Sequence, residues 1–149
     1  MANNYRLFSA ALVIGAAEKP WCEAKLAELR SMSNAHPGDE IDHEIEVDQY
    51  DSCADFQFEF EVNNDQPRIW FYSEESGNTN HVAEFVQMYL AHFHPDKCWY
   101  MSWADTCSKP RLDEFSGGAV FVTATKIKWM EAQRWASEQT EAFIKAQNR

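Results

Sequence analysis

The chain has 149 residues, of which 45% are hydrophobic and 14% aromatic, and it carries a net charge of −11. This composition excludes a disordered chain, and the length is sufficient for one domain with its own core. Residues 1–66 hold 14 acidic and 4 basic side chains, so this half of the chain is unsuited to binding nucleic acid directly.

Hydrophobic patterning predicts six strands and three helices. In chain order we predict a strand over 5–15, a helix over 18–33, strands over 41–48, 56–62 and 67–72, a helix over 78–93, strands over 98–103 and 119–124, and a helix over 126–147. This order predicts a single α+β domain over 1–149, with a mainly antiparallel sheet of five or six strands backed by about three helices. The arrangement is related to the ferredoxin-like order with extra strands.

The N-terminus and the cysteines predict a cellular location. The first 15 residues lack the basic region of a signal peptide, and the longest apolar run, Ala10 to Ala17, is too short to span a bilayer. The cysteines Cys22, Cys53, Cys98 and Cys107 form no C-x-x-C pair. We therefore expect a cytoplasmic protein with free thiols and no membrane partner.

The stretch from Asp39 to Val62 contains no lysine or arginine and includes two strictly alternating runs. In the second run, Phe56, Phe58 and Phe60 alternate with Gln57, Glu59 and Glu61. A period of two is typical of a half-buried strand, so both runs should place their acidic side chains on the solvent side. The carboxylates of this acidic plate are Asp42, Glu44, Glu46, Asp48, Glu59 and Glu61.

The acidic plate predicts a function in protein binding. Like charges opposite one another across strands destabilise a sheet. Their presence here therefore indicates that the negative field has a function. We expect a non-enzymatic module that mimics a nucleic-acid backbone and occupies the basic surface of a nucleic-acid-binding protein. Tyr50 and Trp70 are the expected aromatic anchors. The competing interpretation is that the acidic surface only provides solubility.

A second candidate site lies in the predicted loop over 104–118. Cys107, Ser108, Lys109 and Arg111 could bind a small anion or support a thiol-dependent enzyme, because nearby cations favour the thiolate. The paired glycines 117 and 118 would let the backbone approach a ligand. In the alternative interpretation, this is a long hairpin whose basic residues pair with its own acidic residues, Asp105, Asp113 and Glu114.

The candidate ligands for a zinc site are His92, His94, Cys98 and Cys107. Their spacing matches no standard zinc finger, and residues two apart on a helix do not face one another. The EF-hand pattern is also missing from the sequence. We therefore predict no metal and no cofactor.

Several segments together resemble a family of short, uncharacterised proteins of bacteriophages and other mobile elements. They are Tyr72–Asn78, His81–Val86, Cys107–Arg111 and Gly117–Ala119, and the resemblance covers about residues 68–130. The family offers no assigned catalytic or binding residue. The resemblance implies an accessory protein that inhibits a host nuclease or defence complex, such as an anti-CRISPR protein, in the cytoplasm of the host cell.

The strand predicted over 98–103 carries aromatic residues on both faces. Trp99, Met101 and Trp103 share one face and Tyr100 lies on the other. Either the sheet is covered on both sides, or one side is an apolar patch that binds a partner. The second case would make the protein a docking module or a homodimer.

Overall fold

The computed structural model describes residues 4–35, 54–63, 65–110, 112 and 114–148, and over these residues it has three helices and seven strands. The helices are α1 (Lys19–Ala35), α2 (Thr79–Phe93) and α3 (Ala132–Gln147). The strands are β1 (Asn4–Leu7), β2 (Ser9–Val13), β3 (Gln57–Asn63), β4 (Gln66–Tyr72), β5 (Cys98–Cys107), β6 (Ser116–Thr123) and β7 (Ile127–Glu131). The predicted α+β class is confirmed.

The strands form two antiparallel sheets instead of one. The larger sheet has the order β1-β5-β6-β7, and the smaller has the order β2-β4-β3. The strand predicted over 5–15 divides at Phe8, so β1 and β2 are edge strands of different sheets. The Phe8 side chain is buried, and its carbonyl accepts a hydrogen bond from the Ser73 N–H (3.0 Å). An unbroken apolar run does not show where a chain changes its pairing partner.

The core is assembled from both sheets together with α1 and α2. Its largest fully buried side chains are Tyr89, Phe71, Phe85, Ile14, Leu26, Ile69 and Met101. On β5, Met101 and Trp103 are buried and Tyr100 is 76% exposed, as the alternating pattern predicts. The aromatic face of this strand is therefore a core face.

Helix α2 begins and ends where local signals predict. The Asn78 side chain caps its N-terminus by accepting a hydrogen bond from the His81 N–H (3.2 Å). The apolar stripe of α2 is buried in the core, including Val82, Phe85 and Val86. None of the helices in the described part of the chain combines the length and apolar character needed to cross a membrane.

The end of the chain differs from the prediction of one helix over 126–147. Residues Ile127–Glu131 pair with β6 as an edge strand, after a turn in which the Thr123 N–H donates to the Lys126 carbonyl (2.8 Å). The helix begins only at Ala132, and none of its residues is buried. Pairing with β6 therefore outweighs the helical periodicity of this segment.

Candidate functional site

The outward side of the three-stranded sheet carries the described part of the acidic plate. We call it the open face and define it as the outward side chains of Ser9, Ala11, Val13, Gln57, Glu59, Glu61, Arg68, Trp70 and Tyr72. The opposite side of β3 and β4 is apolar, with Phe56, Ile69 and Phe71 buried in the core. The alternation predicted for the second acidic run is thereby confirmed for its phenylalanines, whereas Val62, which the same pattern assigns to the core side, is 66% exposed.

Two aromatic rings form the centre of the open face. Trp70 and Tyr72 are stacked, with ring centroids 4.1 Å apart and planes inclined by 25°. The Trp70 indole N–H donates to the Ser9 hydroxyl (2.8 Å), which fixes the ring against β2. Since the rings are held in place before any partner arrives, binding to them would lose little side-chain entropy.

Two carboxylates of the acidic plate, Glu59 and Glu61, are described beside this stack, and they differ in whether a cation pairs with them. Glu59 lies directly opposite Trp70 and accepts a hydrogen bond from the Tyr72 hydroxyl (3.2 Å). Glu61 accepts a hydrogen bond from the Arg68 guanidinium (3.0 Å), and both side chains are more than one-third exposed. Glu61 is therefore neutralised by a neighbouring cation, whereas Glu59 has no cation opposite it across β4.

The pKa of Tyr72 reports a negative field at the open face. Partial desolvation in the stack raises the pKa of the Tyr72 hydroxyl, and the negative charges of Glu59 and Glu74 raise it further. The charge of Arg30 opposes this effect without cancelling it. A positively charged group placed beside Tyr72 would therefore be attracted.

The negative surface continues beyond the open face into a groove of about 500 Å³ at the start of β3. Asp55, Glu74 and Glu75 line this groove together with a single described cation, Arg30. Arg30 already makes two contacts within the protein: it donates to the Phe56 carbonyl (2.8 Å) and lies over the Phe58 ring. Sequence reasoning missed these three acidic residues, although a signal was present: antiparallel pairing of β3 with β4 places Gln57 opposite Tyr72 and so brings the loop after β4 beside the start of β3.

The remaining predicted partner-binding residues lie outside the described part of the chain. They are Asp42, Glu44, Glu46, Asp48 and Tyr50. Of the predicted set, the structure brings together Glu59, Glu61 and Trp70. The single plate of six carboxylates stays a prediction.

The predicted ligand loop is shorter than expected because β5 continues to Cys107. Cys107 lies opposite Asn4 of β1, and Ser108 and Lys109 are exposed in the turn that follows. Arg111 lies outside the described residues. Asp105 receives two hydrogen bonds from Arg6 of β1 (2.8 and 3.1 Å), a partner outside the loop that the alternative interpretation did not include.

The paired glycines serve packing within the fold. A side chain at Gly118 would overlap both the Trp103 ring and the carbonyl oxygen of Met130 on the neighbouring strand. The Trp103 ring also lies beneath the Arg6 guanidinium, 5.0 Å away, and its indole N–H donates to Asp105 (3.3 Å). Gly118, which lies in one of the segments that carry the phage resemblance, is thus required by its packing against Trp103 and β7.

The residues considered for zinc have other roles. His92 stacks on Trp21, with centroids 4.9 Å apart, and His94 pairs with Glu18 (2.7 Å). Cys98 is exposed at the start of β5. Within the described ranges, no group of three or more histidine, cysteine or acidic side chains is arranged to hold a metal ion.

The buried thiol of Cys22 is unsuited to nucleophilic chemistry. Burial raises its pKa to about 12, with further contributions from the charges of Glu18 and Glu23. A thiol with this pKa remains protonated near neutral pH, and the thiolate is the reactive form.

No family model, curated protein or solved structure matches this chain. The resemblance to phage and mobile-element proteins therefore stays a prediction. What can be said of function depends on the geometry of the open face.

Proposed function

We propose that this protein is a non-enzymatic interaction module whose open face binds the basic, nucleic-acid-binding surface of another protein. The observation that carries the proposal is the Trp70–Tyr72 stack, which is held rigid beside Glu59 within a negative field. Aromatic anchors surrounded by complementary charge are the usual centres of binding energy in protein interfaces.

The charge distribution supports a basic partner. The segment that leads into Ala54 contributes Asp39, Glu40, Asp42, Glu44, Glu46, Asp48 and Asp51, with no lysine or arginine among residues 39–62. Ala54, the first described residue after this segment, lines the groove together with Asp55, Glu74 and Glu75. A groove on another protein that normally holds a phosphate backbone presents the opposite charge.

The role as an inhibitor is the part of the proposal that rests on the phage resemblance. A protein that fills the nucleic-acid groove of a host nuclease or defence complex would exclude its substrate. Long-range attraction should make association fast and sensitive to ionic strength. The partner's binding to this protein and its binding to nucleic acid should therefore be mutually exclusive.

The test is capture of a partner from nuclease-treated bacterial lysate on the immobilised protein, at low and at high ionic strength. We expect specific proteins to be retained at low salt and to be released by added duplex DNA. Reversal of Asp42, Glu44, Glu46 and Glu59 to lysine should abolish this capture. Glu61 is left unchanged because it pairs with Arg68.

A matched control reverses four acidic residues outside the open face, namely Glu23, Glu28, Asp96 and Glu131. All four are exposed. Each set changes the net charge from −11 to −3, because every reversal adds two charges. If only the first variant loses capture, the acidic plate is the surface that binds the partner. If the first variant still captures the partner, the acidic residues serve only to keep the protein soluble.

The aromatic contribution can be separated from the charge. Trp70→Ala should weaken the interaction by about 30-fold or more, as is typical of a central aromatic anchor. Circular dichroism of each variant checks that the fold is retained. An unchanged affinity in Trp70→Ala would remove the stack from the interface.

A further inference from the structure

The C-terminal helix α3 lies next to β6 and β7 but buries none of its residues. Every residue of α3 is exposed, including Trp135 at 59% and Phe143 at 64%. A described hydrogen bond joins α3 to the rest of the protein: the Gln133 side chain donates to the Phe115 carbonyl (3.1 Å). Helices of this length draw most of their stability from packing an apolar face. We therefore expect the exposed face of α3 to pack against another surface.

One set of α3 side chains follows heptad spacing over two heptads, while the exposed Ile144 lies on the opposite side of the helix. Ala132, Trp135, Gln139, Ala142 and Ala146 are spaced alternately by three and four residues, which places them along one seam of the helix. Ala136 and Phe143 lie on one flank of this seam, and Glu138 and Lys145 lie on the other. The seam itself carries no charge.

The flanking charges show which partner fits. Glu138 and Lys145 occupy equivalent positions in successive heptads and have opposite signs. In an antiparallel pair of identical helices, this flank of one copy meets the same flank of the other. Glu138 would then face Lys145 of the second copy, and Lys145 would face its Glu138. In a parallel pair the same two residues would face the uncharged flank.

The register set by these charges also matches large residues with small ones. Trp135 would face Ala146 of the second copy, and Phe143 would face its Ala136. Gln139 would face Ala142. A large residue against a small one at each level lets two helices interdigitate without voids.

The overall charge of the chain supports the same location. Two copies with a net charge of −11 each repel one another over most of their surfaces. Residues 126–149 instead hold 5 basic and 3 acidic side chains, a net charge of +2. Within this segment α3 itself, residues 132–147, holds two basic and two acidic side chains, so two copies can approach along α3 with less repulsion than elsewhere.

From the heptad seam and its charged flank, we infer that α3 forms an antiparallel helix pair with α3 of a second copy of this chain. The pair has twofold symmetry, and it leaves the open face of each copy free. This inference is independent of the proposed function.

Analytical ultracentrifugation of the full chain tests the inference directly. The mass should rise with concentration from 17.3 kDa towards twice that value. Trp135→Glu together with Phe143→Glu should keep the protein at 17.3 kDa at all concentrations. Tyr100→Glu, at an exposed aromatic residue on the larger sheet, is the matched control and should still dimerise. A full chain that remains monomeric throughout would overturn the inference.

Charge exchange tests the orientation of the pair. Glu138→Lys alone places like charges opposite one another twice in the dimer, and Lys145→Glu alone does the same. Each single variant should weaken dimerisation by about tenfold. The double variant E138K/K145E should restore it. Failure of the double variant to recover would contradict the antiparallel arrangement.

Cysteine cross-linking tests the register. An equal mixture of Gln139→Cys and Ala142→Cys proteins should form an intermolecular disulfide under mild oxidation, because these positions face one another in the proposed pair. The control mixture pairs Gln139→Cys with Ser137→Cys, which lies on the opposite side of the helix, and should not cross-link beyond the level of the native cysteines. Equal cross-linking in both mixtures would overturn the register.

Discussion

Glu18 connects two parts of the chain that are far apart in sequence, the turn before α1 and the C-terminal end of α2. Its carboxylate accepts hydrogen bonds from the Tyr89 hydroxyl and the Gly15 N–H, both at 2.6 Å, and pairs with His94 at 2.7 Å. Burial by itself raises the pKa of this carboxyl, but the two hydrogen bonds and the charge of His94 outweigh it, so the pKa is lowered. The ionised form of Glu18 therefore stabilises the fold.

This lowered pKa predicts a loss of stability in acid. Because the pKa of Glu18 is lower in the folded chain than in the unfolded chain, the unfolded chain binds more protons in this pH interval. The stability contributed by Glu18 is complete above its ordinary pKa of 4.5 and is lost as the pH falls through the lower folded-state value. We expect Glu18→Gln to lower stability at neutral pH and to flatten the acid limb of the stability profile. Urea unfolding at a series of pH values measures both effects.

Glu23→Gln, at an exposed position of the adjacent helix α1, is the matched control for this prediction. It should leave the acid limb close to that of the wild type. An acid limb that is equally steep in Glu18→Gln and in the wild type would show that other carboxylates determine it.

At the scale of elements, the pairing of β6 with β7 depends on the absence of a side chain at residue 118. The Trp103 ring fills the space above Gly118, and the Met130 carbonyl of β7 lies beside it. Gly118→Ala should therefore displace either the ring or the edge strand. We expect a cost of about 1–3 kcal/mol in the free energy of unfolding, as for overpacking in other cores.

Urea unfolding followed by tryptophan fluorescence measures this cost. Ala119→Ser, one position along β6, is the control and should change stability by about 0.5 kcal/mol or less. A Gly118→Ala protein as stable as the wild type would show that β7 adjusts without cost.

At the scale of the whole molecule, the core and the C-terminal helix are separate structural units. The core residues come from the two sheets, α1 and α2, and α3 contributes no buried residue. The binding surface that we propose on the smaller sheet is likewise formed without α3. The two proposed contacts of this protein, one with a basic partner and one with a second copy, thus use different elements.

Removal of residues 132–149 should therefore leave the core folded. At low protein concentration, we expect the free energy of unfolding to change by about 1 kcal/mol or less, since surface changes away from the core have small effects. If α3 pairs with a second copy, the melting temperature of the full chain should rise with protein concentration and that of the shortened chain should not. Thermal unfolding over a range of concentrations measures both. A large loss of stability at low concentration would show that α3 supports the core.

The features that the sequence determined are those with local physical causes. Alternation placed Phe56, Phe58 and Phe60 towards the core and Glu59 and Glu61 towards solvent, because successive side chains of a strand point to opposite faces. The polar residues Asn78, Thr79 and Asn80 indicate the start of α2 to within two residues, and in the structure Asn78 is the cap because its side chain satisfies an N–H at the first turn of the helix. These rules involve only neighbours along the chain, so they hold before any tertiary contact forms.

Only the tertiary structure decided which distant residues meet. Arg6 pairs with Asp105, Glu18 with Tyr89 and His94, and the chain leaves one sheet for the other at Phe8. The same holds for Ile127–Glu131, where a helical period gave way to pairing with β6. Each of these outcomes depends on the partners that the whole fold brings within a few ångströms, and the spacing of residues along the sequence carries no information about those partners.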